Sequence, residues 1–289
     1  MRLALGTAQF GIDYGIANTR GKVPGGEARA VLDYAWDAGI DTLDTAVAYG
    51  DSEERLGGLG VDGWKVVSKL PAIPDDCADV SEWVSGAVRG SLQRLKLDRL
   101  YGLLLHRPVQ LLGARGGELF QAMEQLKADG IVLKAGVSIY DPAELTDLSD
   151  HFHFDLVQAP LSLLDRRMVD TGWLSRLTES KTELHTRSVF LQGLLLMAPG
   201  QRPTAFHAWA PVLGKYDDWL EASGLSRLEA CIRYALSFPE VSRVIVGIDG
   251  VDQLKEIVQA ARGGPLTPGD AFATTDRQLL DPSRWAAAS

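Results

Sequence analysis

Eight short runs of apolar and β-branched residues alternate with longer segments of helical periodicity along the chain. The predicted strands are residues 3–7, 41–45, 65–69, 99–106, 132–138, 156–159, 183–189 and 243–247. The predicted helices are residues 26–38, 52–58, 80–95, 116–129, 142–150, 168–178, 205–238 (more than one helix) and 251–262. Eight strand–helix units predict an α/β fold, a single (β/α)8 TIM barrel over residues 1–289 with its active site at the C-terminal face of the strands. Residues 263–289, rich in Gly, Pro, Thr and Ala, are expected to wrap this barrel as a tail.

Glycine and proline residues support several of these predicted helix ends. Gly39 and Gly130 each follow a periodic apolar segment, where a left-handed residue commonly ends a helix. Asp141 followed by Pro142 predicts an N-cap and a first helical residue.

Composition narrows the classes of partner. With 46% hydrophobic and 23% charged residues in 289 positions, the chain can bury a sizeable core. A net charge of −9 argues against nucleic acid or an anionic membrane as a partner, since both are polyanions. No run of about 18 apolar residues occurs, and the N-terminus lacks a signal-peptide core, which predicts a cytoplasmic protein. The two cysteines, Cys77 and Cys231, are far apart, and no metal site is expected because His151 and His153 lack a third ligand.

Four ionisable residues lie where predicted strands end: Asp44, Tyr49, Lys69 and His106. Each alone has an ordinary explanation, such as a turn former or a packed aromatic. Together, at the ends of the second, third and fourth strands, they predict one site at the barrel mouth. Asp44 can compensate a buried Lys69, and the lysine is expected to lower the pKa of the Tyr49 phenol, while His106 could orient a carbonyl oxygen. This set of groups is suited to carbonyl reduction, with the tyrosine as proton donor.

The motifs around these residues resemble those of the aldo-keto reductases. They are Asp-Thr-Ala-x-x-Tyr-Gly at 44–50, Ser-Glu-x-x-Leu-Gly at 52–57, Val-Val-Ser-Lys at 66–69 and Leu-Tyr-Gly-Leu-Leu-Leu-His at 100–106. Further matches follow in the family's order at 136–138, 157–166, 192–195 and 245–256. The resemblance covers roughly residues 3–260.

The resemblance implies roles for the four residues and a cofactor. Tyr49 would be the proton donor, tuned by Lys69 and Asp44, and His106 would position the carbonyl group. The family binds NAD(P)H in an extended form across the barrel mouth, without a Rossmann domain. The residues implied as cofactor contacts are Thr7, Asp44, Ser138, Gln158, Arg187, Ser188, Gly193, Leu194, Gly247, Gln253 and Glu256.

At the nicotinamide end, Ser138 and Gln158 would hold the carboxamide, and the chain departs from the family pattern beside them. Ile139 stands where the family often has Asn, so that one carboxamide partner is missing or replaced. Arg187 or Ser188 stands where many members carry an aromatic residue under the nicotinamide ring. A planar guanidinium could stack on the ring, but a solvated ion pair for Arg187 is an equally good interpretation.

By the same resemblance, Gly193 and Leu194 would line the pyrophosphate path, and Gly247, Gln253 and Glu256 would meet the adenosine end. Many NADP-specific members carry Lys or Arg there to neutralise the 2′-phosphate. This chain instead offers Asp249 and Asp252, with Lys255 as the nearby base. The electrostatics favour NAD(H) and the family favours NADP(H). We expect NADP(H), with NAD(H) as the alternative.

The sequence therefore predicts an NAD(P)H-dependent oxidoreductase that reduces an aldehyde or ketone. A sugar-derived carbonyl compound is one candidate substrate, and the expected partners are small molecules. Candidate substrate contacts in the loop after the first strand are Gln9, Asp13, Tyr14 and Asn18. Two alternatives remain open. One is a non-catalytic barrel that binds a nicotinamide cofactor as a sensor or partner subunit, and the other is a Schiff-base aldolase that uses Lys69. No oligomeric state is predicted.

Overall fold

The computed structural model describes residues 1–285 and contains a closed barrel of eight parallel strands. Each strand pairs with the next in the chain, and the last pairs with the first. The strands are β1 (Leu3–Gly6), β2 (Thr42–Asp44), β3 (Lys65–Leu70), β4 (Leu100–Leu105), β5 (Val132–Ser138), β6 (Leu156–Pro160), β7 (Glu183–Arg187) and β8 (Val241–Gly247). The predicted (β/α)8 TIM barrel is confirmed, and the strand bounds differ from the predicted ones by at most two residues.

Helices follow the strands around the barrel. They are α1 (Ala8–Gly11), α2 (Gly25–Asp37), α3 (Ser52–Leu59), α4 (Val80–Leu95), α5 (Gly116–Ala128), α6 (Ala143–Ser149), α7 (Arg167–Asp170), α8 (Trp173–Glu179), α9 (Ala210–Ser223), α10 (Arg227–Ala235), α11 (Val251–Ala260) and α12 (Arg277–Leu280). Short 3-10 turns are Pro108–Leu112, Leu191–Leu196, Pro199–Gln201, Thr204–Trp209 and Pro282–Arg284. Among the described residues, no helix is both long and apolar enough to cross a lipid bilayer.

The side chains of β3 show how the strands divide the molecule into a large outer core and the barrel interior. Val66 belongs to the core between the sheet and the helices, whereas Val67 packs with Leu104 and Leu156 in a separate small cluster. Successive side chains of a strand point to opposite faces. Lys69 therefore shares the inward face of Val67, and its backbone position near the end of the strand places its side chain at the C-terminal mouth of the barrel.

Two predicted helix ends are confirmed by backbone geometry. Gly39 and Gly130 follow α2 and α5 with φ of +79° and +73°, values that favour glycine. The N-cap predicted at Asp141 is wrong by one residue, although Asp141 Oδ1 accepts a hydrogen bond of 2.9 Å from the backbone N–H of Ala143. The helix begins at Ala143, one residue later than predicted, and Pro142 is its N-cap.

Two predicted helical segments are interrupted. The segment expected at 168–178 forms α7 and α8, separated by Gly172 at φ +75°. The segment expected at 205–238 forms a 3-10 turn followed by α9 and α10, and Gly224 at φ +66° ends α9. In both places a left-handed glycine breaks the α-helical hydrogen-bond ladder.

Residues of the expected tail pack on the barrel through Arg166. This arginine lies in the turn after β6, and its side chain is 6% exposed. It donates hydrogen bonds to Gly269 O at 2.9 Å and Asp270 Oδ1 at 2.7 Å, and its guanidinium lies 5.2 Å from the ring centre of Phe272. The last positions of the expected tail, 286–289, lie outside the described residues.

Candidate active site

The four residues predicted for catalysis come together at the C-terminal mouth of the barrel. Asp44 is the last residue of β2, Lys69 lies one residue before the end of β3, and His106 directly follows β4. Tyr49 lies in the loop between β2 and α3. Asp44, Tyr49 and His106 line one cleft, and Lys69 lies buried next to it.

A buried ion pair forms the base of this cleft. Lys69 Nζ donates hydrogen bonds to Asp44 Oδ1 at 2.8 Å, Asp44 Oδ2 at 2.7 Å and Thr45 O at 3.0 Å. It also lies 3.4 Å from Tyr49 Oη. The Lys69 and Asp44 side chains are 0% and 6% exposed, so that each charge depends on the other for its compensation.

The expected effect of Lys69 on the Tyr49 phenol is not met, since the pKa of Tyr49 is raised rather than lowered. Burial is the largest cause, the Asp44 carboxylate adds to it, and the Arg187 guanidinium acts in the opposite direction. The carboxylate that makes a buried lysine tolerable also cancels much of its field at the phenol. Tyr49 therefore retains its proton, which is the state that a proton donor requires.

His106 lies beside the phenol as a neutral ring. Burial, followed by the charges of Lys69 and Arg187, lowers the pKa of His106 to about 4. The centres of the His106 and Tyr49 rings are 6.0 Å apart, in an edge-to-face arrangement. A neutral imidazole in this place can donate one hydrogen bond to a carbonyl oxygen without adding a charge.

An amide and a hydroxyl continue the polar wall of the cleft from Asp44. Gln158 on β6 donates from Nε2 to Asp44 Oδ1 at 2.6 Å, and Ser138 at the end of β5 donates from Oγ to Gln158 Oε1 at 3.1 Å. Both residues line the cleft. The side chain of Ile139 is fully buried in the outer core, so that this departure from the family pattern removes a polar side chain without adding an apolar one to the cleft.

Arg187 lines the cleft at the end of β7 and forms no ion pair within residues 1–285. Its guanidinium lies 4.3 Å from the ring centre of Tyr140 and donates to Ile139 O at 2.8 Å and Ser188 Oγ at 3.0 Å. The interpretation of Arg187 as a solvated ion pair is therefore wrong. A planar cation without a counter-ion faces the site instead.

Two loops meet over the mouth. The backbone N–H of Ile16, in the loop after β1, donates to Gln192 O at 3.1 Å, and Gln192 Nε2 lies 3.3 Å from Tyr14 Oη. Gly193 has φ of +94°, and a Cβ there would lie 2.5 Å from Ala17 Cβ. Tyr14, Gln192 and Gly193 all line the cleft, so that the contact between these loops defines one of its sides.

Three predicted cofactor contacts lie outside the cleft lining. Thr7 is fully buried and donates from Oγ1 to Asp44 O at 3.0 Å, which supports the catalytic strand end from behind. The Leu194 side chain is fully buried in the outer core. Glu256 is exposed on α11.

The opposite end of the cleft is formed by the segment from β8 into α11. Gly247, Asp249 and Gln253 line it. Gln253 Oε1 accepts a hydrogen bond of 2.8 Å from the backbone N–H of Asp249. The site thus extends from Tyr49 and His106 to a partly buried carboxylate beyond β8.

Sequence reasoning missed Tyr140, which lines the cleft and supports the Arg187 guanidinium. The sequence signal for Tyr140 was its position directly after the fifth strand and Ile139, where a side chain can reach the mouth of the barrel. Among residues 1–285, no group of three or more His, Cys, Asp or Glu side chains is arranged to hold a metal ion.

The closed barrel with a buried lysine, a carboxylate and a tyrosine at its mouth defines a barrel enzyme of the oxidoreductase type, and comparisons identify its family. Residues 2–274 match the model of the aldo/keto reductase family, and the chain belongs to that family. It is 27% identical over 275 residues to the uncharacterized oxidoreductase YqkF of Bacillus subtilis, covering 88% of this chain and 89% of the relative. It is also 27% identical over 300 residues to a D-threo-aldose 1-dehydrogenase of a Pseudomonas species, covering 89% and 91%.

A solved structure has the same fold. The holo form of the aldo-keto reductase AKR11C1 from Bacillus halodurans matches with a TM-score of 0.76 and 22% identity, over 98% of this chain and 95% of that one.

Proposed function

We propose that this protein is an NAD(P)H-dependent reductase of aldehydes or ketones in which Tyr49 donates the proton. The observation that carries the proposal is the position of Lys69 Nζ, 2.7 Å from Asp44 Oδ2 and 3.4 Å from Tyr49 Oη, at the base of a cleft. The family generally uses nicotinamide cofactors. The same residues in the reverse direction would oxidise an alcohol.

The roles of the residues follow from their charges. A bound reduced nicotinamide would supply hydride to the carbonyl carbon. Tyr49, kept protonated by burial, would give its proton to the carbonyl oxygen as negative charge develops there. The ammonium group of Lys69 would then stabilise the phenolate that remains, and Asp44 would hold that ammonium in place. The neutral ring of His106 would orient the carbonyl oxygen by a hydrogen bond.

The polar lining of the cleft fits a dinucleotide. Ser138 and Gln158 present a hydroxyl and an amide close to the catalytic carboxylate, which suits an uncharged carboxamide. Arg187 offers a planar group next to them. Because they line the cleft, the residues we carry forward as cofactor contacts are Asp44, Ser138, Gln158, Arg187, Ser188, Gly193, Gly247 and Gln253. Thr7, Leu194 and Glu256 do not line the cleft, and we propose only that they lie next to residues that contact the cofactor.

A sugar-derived carbonyl compound is the substrate class that we propose. Hydroxyl and amide groups of the mouth loops line the cleft, and these are the groups that bind polyhydroxylated molecules. The polar members of this lining are Gln9, Tyr14, Asn18, Tyr140 and Gln192. Similarity to a D-threo-aldose 1-dehydrogenase supports the same class. We propose that the enzyme acts on such small molecules in the cytoplasm.

The geometry of Lys69 disfavours the Schiff-base aldolase. Its nitrogen lies within hydrogen-bond distance of both oxygens of Asp44, of Thr45 O and of Tyr49 Oη, and its side chain has no exposed surface. An ammonium group paired with a carboxylate has no lone pair for attack on a carbonyl carbon. The complete set of Asp44, Tyr49, Lys69 and His106 likewise favours catalysis over a cofactor sensor.

The test is the Tyr49→Phe variant of the full chain. We expect it to bind NADH or NADPH as the wild type does, and to lose turnover by a factor on the order of 10³, because only the transferable proton is removed. Turnover is measured from nicotinamide absorbance with a panel of aldoses and simple aldehydes. Tyr34→Phe, which removes a tyrosine hydroxyl on α2 outside the cleft, is the control and should retain most of the activity. Full turnover by Tyr49→Phe would refute the mechanism.

A further inference from the structure

The segment that joins β8 to α11 carries an acidic side chain with an unused acceptor. Asp249 lines the cleft, and neither of its carboxylate oxygens receives a hydrogen bond within residues 1–285. Its Oδ1 is buried. Burial raises the pKa of Asp249, Asp13 adds to this effect, and Arg20 opposes it. A buried carboxylate oxygen without a donor is costly, which indicates that a ligand supplies the missing donor.

Two backbone N–H groups in the segment around Asp249 already have acceptors. Glu27 on α2 accepts from the backbone N–H of Val251 at 2.7 Å, where α11 begins. The Gln253 side chain accepts from the N–H of Asp249 itself. Free amides at a helix N-terminus are the groups that commonly bind phosphate. Here the N–H groups of Val251 and Asp249 are bound to a carboxylate and an amide oxygen, so that a phosphate would have to displace these acceptors to reach those two groups.

The charges around this end of the cleft are unfavourable for a phosphate. Asp249 lines it, the Glu27 carboxylate lies nearby at the start of α11, and Asp13 adds a third negative charge. Lys255, on α11, is bound to Asp252 at 2.9 Å on the exposed side of the helix. Arg20 is the cation that influences Asp249, and it is exposed. A dianionic group here would therefore meet more carboxylates than free cations.

We propose that Asp249 accepts hydrogen bonds from the ribose hydroxyls of the adenosine half of the cofactor and excludes a 2′-phosphate, so that the protein prefers NAD(H) to NADP(H). An acidic residue that binds the ribose 2′-hydroxyl is the physical basis of NAD preference in other dinucleotide sites. This inference rests on the proposed function. It departs from the expectation of NADP(H), which came from the family resemblance alone.

The experiment measures binding of NADH and NADPH to the full-length protein by isothermal titration calorimetry, without substrate. We expect wild type to bind NADH at least tenfold more tightly than NADPH. In Asp249→Ser the preference should fall at least tenfold, through tighter NADPH binding as well as weaker NADH binding. Asp249→Asn keeps the shape and removes the charge, and it should relax the preference in the same direction. Competition by AMP and by adenosine 2′-monophosphate should show the same order as the dinucleotides.

Asp252→Asn is the matched control. Asp252 is an acidic residue of the neighbouring helix whose side chain is 90% exposed, so that its removal should leave the ratio of the two dissociation constants within twofold. Equal or tighter binding of NADPH by wild type would overturn the inference and leave the proposed function intact. An unchanged ratio in both Asp249 variants would also overturn it. Failure of both dinucleotides to bind would refute the proposed function together with this inference.

Discussion

The buried pair Lys69–Asp44 is the residue-level feature that bears most directly on stability. Removing one partner of such a pair leaves a charge buried without compensation, which typically costs about 3–5 kcal/mol. We therefore expect Lys69→Met and Asp44→Asn each to lower the free energy of unfolding in urea by about 3 kcal/mol, and the double variant to lose much less than the sum. Losses that simply add in the double variant would show that the two charges do not compensate each other.

The pair Lys65–Asp41 provides the comparison. It has the same 2.8 Å contact between nitrogen and oxygen, but its side chains are 41% and 38% exposed. Because solvent screens such a pair, Lys65→Met should cost no more than about 1 kcal/mol in the same urea titration. The difference between the two lysine variants then reports the effect of burial together with that of Arg243, which still lies 3.0 Å from Asp41 when Lys65 is replaced.

His106 makes a second residue-level prediction, on the dependence of stability on pH. Its pKa is about 4 in the folded chain, and an unfolded histidine titrates near pH 6.5. Between these values the unfolded state binds more protons, so that the contribution of the neutral ring is present above about pH 6.5 and is lost as pH falls towards 4. The unfolding free energy of wild type should therefore fall towards that of His106→Gln as pH decreases from 7 to 4.5.

Urea titrations of the two proteins at both pH values measure this change. His151→Gln, which alters an exposed histidine, is the control and should show a constant difference from wild type. A difference between wild type and His106→Gln that is constant with pH would mean that the ring is not held neutral by burial.

At the level of elements, the segment after β7 combines several left-handed residues. Ser188, Leu191, Gln192 and Gly193 have φ of +61°, +47°, +52° and +94°. At Gly193 a Cβ would also collide with Ala17 of the opposite loop. We expect Gly193→Ala to lower the free energy of unfolding by about 1–3 kcal/mol and to weaken dinucleotide binding, because it separates the two loops at the mouth.

Gly214→Ala is the matched control and should have the opposite sign. Gly214 lies within α9, and nothing lies within 4 Å of where its Cβ would be. Replacing a helical glycine by alanine there should stabilise the chain by about 0.5–1 kcal/mol. Both values are read from chemical denaturation. Similar effects of the two substitutions would contradict the strain that we assign to Gly193.

The strands and helices also show which parts of the structure can be predicted from sequence patterns. The strands and the meeting of Asp44, Lys69 and His106 at one end of the barrel were predictable, because β2, β3 and β4 end at or next to these residues and the alternation of strands and helices fixes the mouth on which these ends meet. The break at Gly172 was visible in principle as a glycine after Asp170–Thr171. The end of β7 at Arg187 was not, because Ser188 adopts a conformation to which its residue type gives no clue.

Contacts between segments that are distant in the chain could not be predicted from the sequence. Glu27 occupies the first amide of α11 across 224 positions of the chain, and Gln158 reaches Asp44 across 114. Only the closure of the barrel brings these groups together. The same closure determines the direction of the Tyr49 pKa, since burial and the Asp44 charge outweigh the expected effect of Lys69. Residue identities could therefore be predicted, whereas their electrostatic balance required the three-dimensional arrangement.

At the scale of the whole molecule, the C-terminal residues complete the outer core. Phe272, Leu279 and Leu280 are at most 2% exposed and belong to the same hydrophobic cluster as the barrel helices. Arg166 holds this segment from the barrel side, through a charge-assisted hydrogen bond to Asp270 and hydrogen bonds to the carbonyl groups of Pro268 and Gly269, with its guanidinium near the rings of Tyr234 and Phe272. Docking of the segment should therefore depend on this arginine.

We expect Arg166→Met to lower the free energy of unfolding by about 2–3 kcal/mol, since it leaves buried carbonyl groups without donors and removes the cation from the aromatic faces. Asp270→Asn is its control. Asp270 accepts one of the hydrogen bonds of Arg166, but its side chain is 95% exposed, so that the loss should be below about 1 kcal/mol. In limited proteolysis, the segment before position 285 should be cleaved faster in Arg166→Met than in Asp270→Asn. Equal stability and equal cleavage of the two variants would mean that apolar burial alone holds this segment, and that Arg166 does not contribute to its docking.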